Sequence, residues 1–123
     1  MHADGPERLR CLCVGSSMSP TIEPGTFVDV RPGRRPRAGD AVLFRSEHTD
    51  VLHRFLFKLP LLPYFVHRGD AADATVGISR WDRIQGVAEL PARALDLREC
   101  IEGCFLVAKR VPVAVVARLR GRR

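Results

Sequence analysis

The sequence lacks any long apolar run that would place the chain in or across a membrane. No window holds the roughly 18 uncharged apolar residues that a membrane span requires. Residues 1–15, MHADGPERLRCLCVG, also lack the apolar core of a signal peptide. We therefore expect a cytoplasmic chain without a signal peptide or transmembrane segment of its own.

Recognisable nucleic-acid-binding motifs are missing as well. The net charge is +6, from 20 Lys and Arg against 14 Asp and Glu, so an anionic partner has to be considered. The basic residues are nevertheless spread along the chain, with clusters only at residues 31–37 and 118–123. No RNA-binding aromatic motif, zinc-finger spacing or helix-turn-helix pattern accompanies them. We interpret the clusters as solvated loops and a charged tail, and we expect no nucleic-acid partner.

The C-terminal residues 105–123 come nearest to a membrane segment, but Lys109 and Arg110 interrupt the apolar run. We expect residues 110–123 to be a basic tail, with a closing strand before a frayed end. Residues 111–119 could instead form a short basic amphipathic helix on a membrane surface. Peripheral membrane contact therefore stays open.

The four cysteines lack the spacing of a standard structural zinc site. Cys11 and Cys13 form one close pair, and Cys100 and Cys104 form another. A CxC pair in a strand places both side chains on one face, so a four-thiolate zinc site is conceivable if the two ends of the chain meet. We favour four reduced, mostly buried cysteines, which suit a cytosolic chain, and we expect neither a metal nor a cofactor.

The pattern of apolar residues and turns predicts an all-β fold in a single domain covering residues 1–123. This length suffices for one core and leaves no room for a second domain. Short strands at close spacing, punctuated by Gly, Pro and Asp, favour a coiled, barrel-like antiparallel sheet with little helix. The predicted strands are residues 8–14, 27–31, 41–45, 51–57, 64–68, 84–90 and 104–109, with a loop before Trp81.

A candidate nucleophile, Ser17, lies in the bend GSSMSPTIEPG at residues 15–25. A bend punctuated by Gly and Pro can present a side chain and direct main-chain N–H groups at one point, as an oxyanion hole requires. Serine is a weak nucleophile at its own pKa, so it needs a neighbouring base and a group that orients the base.

His53 is the candidate base. In a strand over residues 51–57 it shares a face with Val51, Phe55 and Phe57, and apolar neighbours would keep its ring neutral near pH 7. A neutral imidazole can accept the serine proton. A histidine on such a face is often only a core residue, and the presence of Ser17 favours the catalytic interpretation. Lys58, on the opposite face of the strand, is a distant alternative base.

Five sequence blocks together resemble the type I signal peptidase and LexA-type serine protease clan. They are GSSMSPTIEPG, RAGDAVLF, VLHRF, HRGDAAD and IQGVAEL, and the resemblance covers about residues 12–90. In this clan a serine just before a methionine is the nucleophile, and the commoner members have a lysine before an arginine as base. The position reads His53-Arg54 here, which looks like the histidine variant of endoplasmic-reticulum and spore-former signal peptidases.

The resemblance implies a serine endopeptidase with a Ser/His mechanism. Ser17 matches the nucleophile and its N–H the oxyanion donor, and His53 matches the general base. Asp70 of the Gly-Asp pair, or Asp73, would orient the imidazole. This chain departs from the family pattern where many members carry a second hydroxyl, since it has Gly15, and where histidine variants carry a second acid, since it has Val76.

The resemblance also implies the kind of substrate. A peptide or protein would lie extended along a strand edge beside Ser17, with small residues such as alanine at the first and third positions before the cut. The apolar LPLLPYF segment at residues 59–65 either belongs to the core, which we favour, or touches lipid or an apolar leader peptide. A rival interpretation is a non-catalytic module of the same fold that binds a peptide or an acidic partner.

Overall fold

The computed structural model describes residues 8–110 of the chain. They form seven strands followed by one α-helix, with a turn of 3-10 helix (Trp81–Arg83) between the sixth and seventh strands. Among the described residues no helix is both long and apolar enough to cross a bilayer. The elements are β1 (Leu9–Cys13), β2 (Thr26–Arg31), β3 (Ala41–Ser46), β4 (Thr49–Lys58), β5 (Tyr64–Arg68), β6 (Gly77–Arg80), β7 (Ile84–Ala88) and α1 (Leu97–Arg110).

All seven strands belong to one antiparallel sheet, in the order β1-β2-β7-β3-β4-β5-β6, which curls into a half-barrel. The β3–β4 hairpin pairs from Ala41 opposite Arg54 to Ser46 opposite Thr49. The β4–β5 hairpin contains a bulge between Phe55 and Phe57. The predicted all-β class with a coiled antiparallel sheet is confirmed, and six of the predicted strands lie within three residues of the observed bounds.

The strands bury apolar side chains on both faces of the sheet, because alternate residues point to opposite sides. One core cluster joins the bend after β1 to the sheet through Met18, Ile22, Val28, Val30, Leu43 and Leu52. The opposite face carries an aromatic cluster of Val42, Phe44, Phe55, Phe65 and Val87. β3 and β4 therefore lie between the two clusters, which cover both faces of the sheet at this point. His53 is a residue of β4.

The prediction of a strand at residues 104–109 was wrong, because these residues lie in α1. The helix begins with a capping box in which the Asp96 carboxylate accepts a hydrogen bond from the Arg98 N–H, at 3.0 Å, and the Glu99 carboxylate accepts one from the Asp96 N–H, at 2.8 Å. Gly103 lets the helix approach the sheet, since a Cβ there would lie 2.9 Å from Val66 and 3.2 Å from Phe57. The Asp-x-x-Glu spacing is typical of a helix N-terminus. The strand prediction rested on the short apolar run that follows it.

The expected loop before Trp81 contains β6, a four-residue edge strand that pairs with β5. Its sequence, GISR, has only one large apolar residue, so its alternation is too short to read. The LPLLPYF segment is the turn between β4 and β5. Leu59 and Phe65 are buried and Pro60, Leu61 and Pro63 are exposed, so the core interpretation is confirmed for the two ends of the segment. The expectations for the basic tail beyond Arg110 lie outside the described residues.

Candidate functional site

Ser17 lies in a turn that buried side chains hold against the sheet. Met18 and Ile22 are buried in the first core cluster, and the Ile22 N–H donates to the Met18 carbonyl at 3.0 Å. The Ser19 N–H closes a tighter turn by donating to the Ser16 carbonyl, also at 3.0 Å. The two buried side chains hold the turn against the sheet, and Ser17 is left half-buried above it.

A second loop supports the backbone of Ser17. The Ala71 N–H donates to the Ser17 carbonyl at 2.8 Å. Gly69 packs so closely that a Cβ there would lie 2.2 Å from the Ser17 carbonyl oxygen. Only glycine fits this approach, so the Gly-Asp block holds the position of the serine through its main chain.

His53 lies beside the serine as the sequence predicted. Its Nε2 atom is 3.1 Å from Ser17 Oγ, within hydrogen-bonding distance. The ring is half-buried and meets the edge of the Phe44 ring, with the centroids 6.0 Å apart. The candidate nucleophile and base are therefore in direct contact.

His67 occupies the other side of His53, where an acid, Asp70 or Asp73, was predicted. The two Nδ1 atoms are 2.9 Å apart, and His67 Nε2 is 2.9 Å from Ser79 Oγ. Four side chains thus form one hydrogen-bonded line from Ser17 through His53 and His67 to Ser79. His67 was not among the predicted site residues, although it is the first residue of the block HRGDAAD.

Burial keeps both histidine rings neutral at pH 7. Desolvation lowers the pKa of His53 to about 4, and the charge of Asp70 opposes the shift only in part. Desolvation, together with its proximity to His53, lowers the pKa of His67 to about 3. A neutral His53 can accept the serine proton, which is the requirement for a general base.

Asp70 is placed differently from the expectation that it orients His53. Its carboxylate is buried and accepts hydrogen bonds from Arg54 at 3.1 Å and from Arg93 at 2.8 Å. Burial acts to raise the pKa of Asp70, but hydrogen bonds from Arg54, Thr21 and Arg93 hold it below its usual value. With both oxygens engaged by arginines, Asp70 stabilises the loop beneath Ser17, and the atom beside His53 Nδ1 belongs to His67.

Asp73, the other expected acid, is exposed and makes no side-chain hydrogen bond or ion pair with any residue between 8 and 110. Lys58, the alternative base, donates to the carbonyl oxygens of Leu59 and Leu62 in the β4–β5 turn. Its ammonium group also lies 5.6 Å from the Trp81 ring centroid. Neither residue is brought to Ser17.

The Asp70 carboxylate belongs to a charged network that reaches α1. Arg93 donates to both carboxylate oxygens of Glu99, at 2.7 and 2.8 Å, while it also donates to Asp70. Arg68 adds an ion pair to Glu99 at 3.6 Å. The helix is thereby tied through Arg93 and Asp70 to the loop that carries Gly69 and Ala71.

A groove opens beside Ser17 between the edge of the sheet and the β3–β4 hairpin. It contains a cavity of about 200 Å³ lined by β1 and the residues after it, together with Thr49 to Leu52. Among residues 8–110, β1 pairs only with β2, so its outer edge has no partner strand in this part of the chain. The groove is therefore able to accept an extended segment of another chain.

The cysteines do not form the conceivable four-thiolate site. Cys11 and Cys13 pack on one face of β1 against the first core cluster, whereas Cys100 and Cys104 lie on α1. All four are free thiols. Within the described part of the chain no three His, Cys, Asp or Glu side chains are grouped as a metal ion would require.

Comparison with known proteins adds no relative. No family model matches the sequence, and neither a curated protein nor a solved structure shows significant similarity to it.

Proposed function

We propose that this protein is a serine endopeptidase with Ser17 as the nucleophile and His53 as the general base. The observation that carries the proposal is the 3.1 Å contact between Ser17 Oγ and the Nε2 atom of a neutral imidazole. The core-residue alternative for His53 explains a buried ring, but it gives no reason for the ring to meet a serine hydroxyl on a fixed turn.

The chemistry follows from these two atoms. Ser17 Oγ attacks the carbonyl carbon of the scissile peptide bond while its proton moves to His53 Nε2. The oxyanion forms beside the Ser17 N–H, which has no hydrogen-bond partner within residues 8–110. The tetrahedral intermediate then expels the amine, which takes the proton from His53. Water hydrolyses the acyl-enzyme by the same steps, and Ser17 regains its proton.

The groove beside Ser17 supports an extended peptide or protein substrate. Strand addition to the free edge of β1 would supply main-chain hydrogen bonds and present alternate side chains to the groove. The cavity of about 200 Å³ provides space for side chains of such a peptide beside Ser17. We propose cleavage of a leader, signal or pro-peptide after small residues, as the resemblance to signal peptidases implies.

Cleavage of a peptide library, followed by mass spectrometry, tests the proposal. We expect the wild-type protein to cut after small residues and the Ser17→Ala variant to leave the same peptides intact. Ser16→Ala is the matched control, because Ser16 is an exposed hydroxyl in the same turn and does not touch His53. Equal cleavage by wild type and Ser17→Ala would refute the assignment.

A non-catalytic peptide-binding module remains the rival function, and the unpaired edge of β1 favours it as well. The two differ in product formation. A binding module would retain peptides in a pull-down without releasing shorter fragments, and it would do so equally well with Ser17→Ala.

We further propose that the peptidase works in the cytoplasm and touches an anionic membrane surface through α1. Its four free thiols fit a reducing compartment. Leu97, Ile101 and Phe105 follow each other at four-residue spacing and are 75%, 46% and 72% exposed. The helix ends at Lys109 and Arg110, and the sequence continues to the basic cluster at residues 118–123. An apolar stripe followed by positive charge is complementary to an anionic bilayer.

Liposome flotation of the full chain tests this membrane contact. We expect binding to anionic vesicles that weakens with salt, and a clear loss in the Ile101→Ser/Phe105→Ser variant. Phe27→Ser is the control, since Phe27 is also exposed but lies on β2, at the opposite end of the sheet from α1. Failure to bind vesicles at any salt concentration would leave a peptidase that acts on soluble precursors.

A further inference from the structure

We propose that His67 and Ser79 are positioning residues that fix the proton of His53 on Nδ1, so that Nε2 is free to act as the base. The inference deepens the proposed peptidase function and rests on it. It assigns to a second histidine the role that a carboxylate has in a Ser-His-Asp triad.

The distances restrict where the protons lie. Two imidazole nitrogens 2.9 Å apart form a hydrogen bond only if one carries a proton and the other does not. If His53 Nε2 is to accept the Ser17 proton, the His53 proton must sit on Nδ1 and point at His67 Nδ1. His67 is then protonated on Nε2, and it donates to Ser79 Oγ at 2.9 Å.

The reverse arrangement of protons also satisfies the line of hydrogen bonds, but it does not survive catalysis. There Ser79 donates to His67, His67 donates to His53, and His53 Nε2 donates to Ser17, so the base is blocked. Once His53 has taken the serine proton, both of its nitrogens are donors, and its Nδ1–H needs an acceptor. His67 Nδ1 provides that acceptor only in the first arrangement.

His67 is held firmly enough to fill this role. Gly77 stands opposite His67 in the β5–β6 register, and a Cβ at that position would lie 2.7 Å from His67 Cε1. The rings of Phe44 and Phe65 cover the imidazole, with centroid distances of 4.5 and 5.3 Å. A glycine on one side and two aromatic rings on the other keep the ring aimed at His53.

The alignment arises from the registers of three strands. Phe55 of β4 lies opposite His67, so His53, two residues earlier, is on the same face and diagonal to it. Ser79 of β6 lies opposite Phe65 and is diagonal to His67 in the same way. The line of side chains therefore follows directly from the sheet.

A pair of isosteric substitutions at position 67 provides the test. In His67→Asn, an amide oxygen takes the place of Nδ1 and can still accept the His53 proton, whereas His67→Leu has the same branching and no acceptor. We expect the Leu variant to lose about 10²-fold in kcat with little change in KM, and the Asn variant to stay within about 10-fold of wild type. A purely structural role predicts the opposite order, because leucine suits the surroundings of Phe44 and Phe65 better than asparagine does.

The tautomer of His53 gives a readout that does not depend on peptidase activity. Imidazole ¹⁵N spectra of the ¹⁵N-histidine-labelled protein at pH 7 should show His53 protonated on Nδ1 and His67 on Nε2. In His67→Leu the His53 proton should move to Nε2, where it can donate to Ser17. An Nε2-protonated His53 in the wild type overturns the proposal, whether or not the protein cleaves peptides.

Ser79 provides a second test if position 67 does not tolerate substitution. Ser79→Ala removes the acceptor for His67 Nε2–H, and Ser79→Thr keeps the hydroxyl. We expect a several-fold loss of kcat and a mixed His53 tautomer in Ser79→Ala, with rescue in Ser79→Thr. Wild-type kinetics and an unchanged tautomer in Ser79→Ala would contradict the role of Ser79.

Discussion

The two sides of β4 carry opposite kinds of polar network, and both begin at neighbouring residues. His53 leads to a neutral line of hydrogen bonds with Ser17 and His67, whereas Arg54 leads to a charged network with Asp70. β5 repeats the pattern, since His67 joins the first network and Arg68 the second. One His-Arg pair on each strand therefore serves both faces, because successive side chains point to opposite sides of the sheet.

The difference shows how positioning and chemistry are separated in this site. The charged network consists of ion pairs and reaches the Ser17 bend through the backbone of Gly69 and Ala71 and through the hydrogen bond of Thr21 to Asp70. The neutral line touches the reactive hydroxyl directly and contains the group that must change its protonation. Changes on the charged side should therefore act first on stability, and changes on the neutral side on turnover.

Removing the charge of Asp70 should have the largest effect on stability. Asp70→Asn leaves the buried Arg54 without its carboxylate partner and Arg93 with Glu99 alone, and breaking a buried ion pair costs on the order of 3–5 kcal/mol of unfolding free energy. Asp73→Asn is the matched control and should stay within about 0.5 kcal/mol of wild type. Urea denaturation of both variants measures the difference. Equal stability of the two variants would mean that the Asp70 network does not support the fold.

Gly69 connects the two sides, and its substitution should reduce turnover. A Cβ in Gly69→Ala would meet the Ser17 carbonyl and must displace the serine or its loop. A misplacement on the order of 1 Å costs about 10²-fold in rate. The control is Gly15→Ala, in the same region, where a Cβ meets nothing within 4 Å. Comparable kcat values for the two alanine variants would show that the close approach does not hold Ser17.

The two buried histidines of the neutral line should make the free energy of unfolding depend on pH. The pKa of His53 is lowered to about 4 and that of His67 to about 3, so the unfolded state binds more protons below the ordinary histidine pKa near 6.5. Stability is therefore fully present above about pH 6.5 and is lost as the pH falls, by about 2 kcal/mol per pH unit between pH 6 and 5, because both histidines contribute. Unfolding curves at several pH values measure the slope.

Two substitutions sharpen the pH experiment. His67→Leu should flatten the slope because it removes one of the two buried titrating groups. His48→Gln, which changes an exposed histidine outside this line of hydrogen bonds, is the matched control. As long as the chain stays folded, cleavage should persist well below pH 6.5, because the folded-state pKa of His53 is about 4. A loss of activity centred near pH 6.5 would contradict a buried, neutral His53.

Part of this site was readable from the sequence, and part depends on strand register. The Ser17 turn and His53 lie in separate blocks whose residues resemble a known protease clan, so the pair was predictable without a structure. His67 was not, because its contact with His53 depends on how β4 pairs with β5, and that register shifts at the bulge between Phe55 and Phe57. The prediction that Asp70 orients His53 did not take account of Arg93. This residue is 23 positions from Asp70 in the chain and donates a hydrogen bond to one of its carboxylate oxygens.

The fold shows the same division. Six strands were predicted from alternation and turn residues. A strand was predicted where α1 lies, although Asp96 and Glu99 form a capping box. The apolar residues of its second half fit a strand as well as a helix face over so short a run. The helix is favoured over a strand by the packing of Gly103 against Phe57 and Val66. This is a tertiary contact, which sequence periodicity does not contain.

A double-mutant cycle on kcat/KM tests most directly whether Ser17 and His53 act as one unit. The wild type, Ser17→Ala, His53→Ala and the double variant are compared on a peptide that the wild type cleaves. Each single substitution should cost on the order of 10⁴-fold or more, and the double substitution should cost no more than either alone, because neither group works without the other. Losses that multiply in the double variant, or substantial cleavage by His53→Ala, would contradict the account.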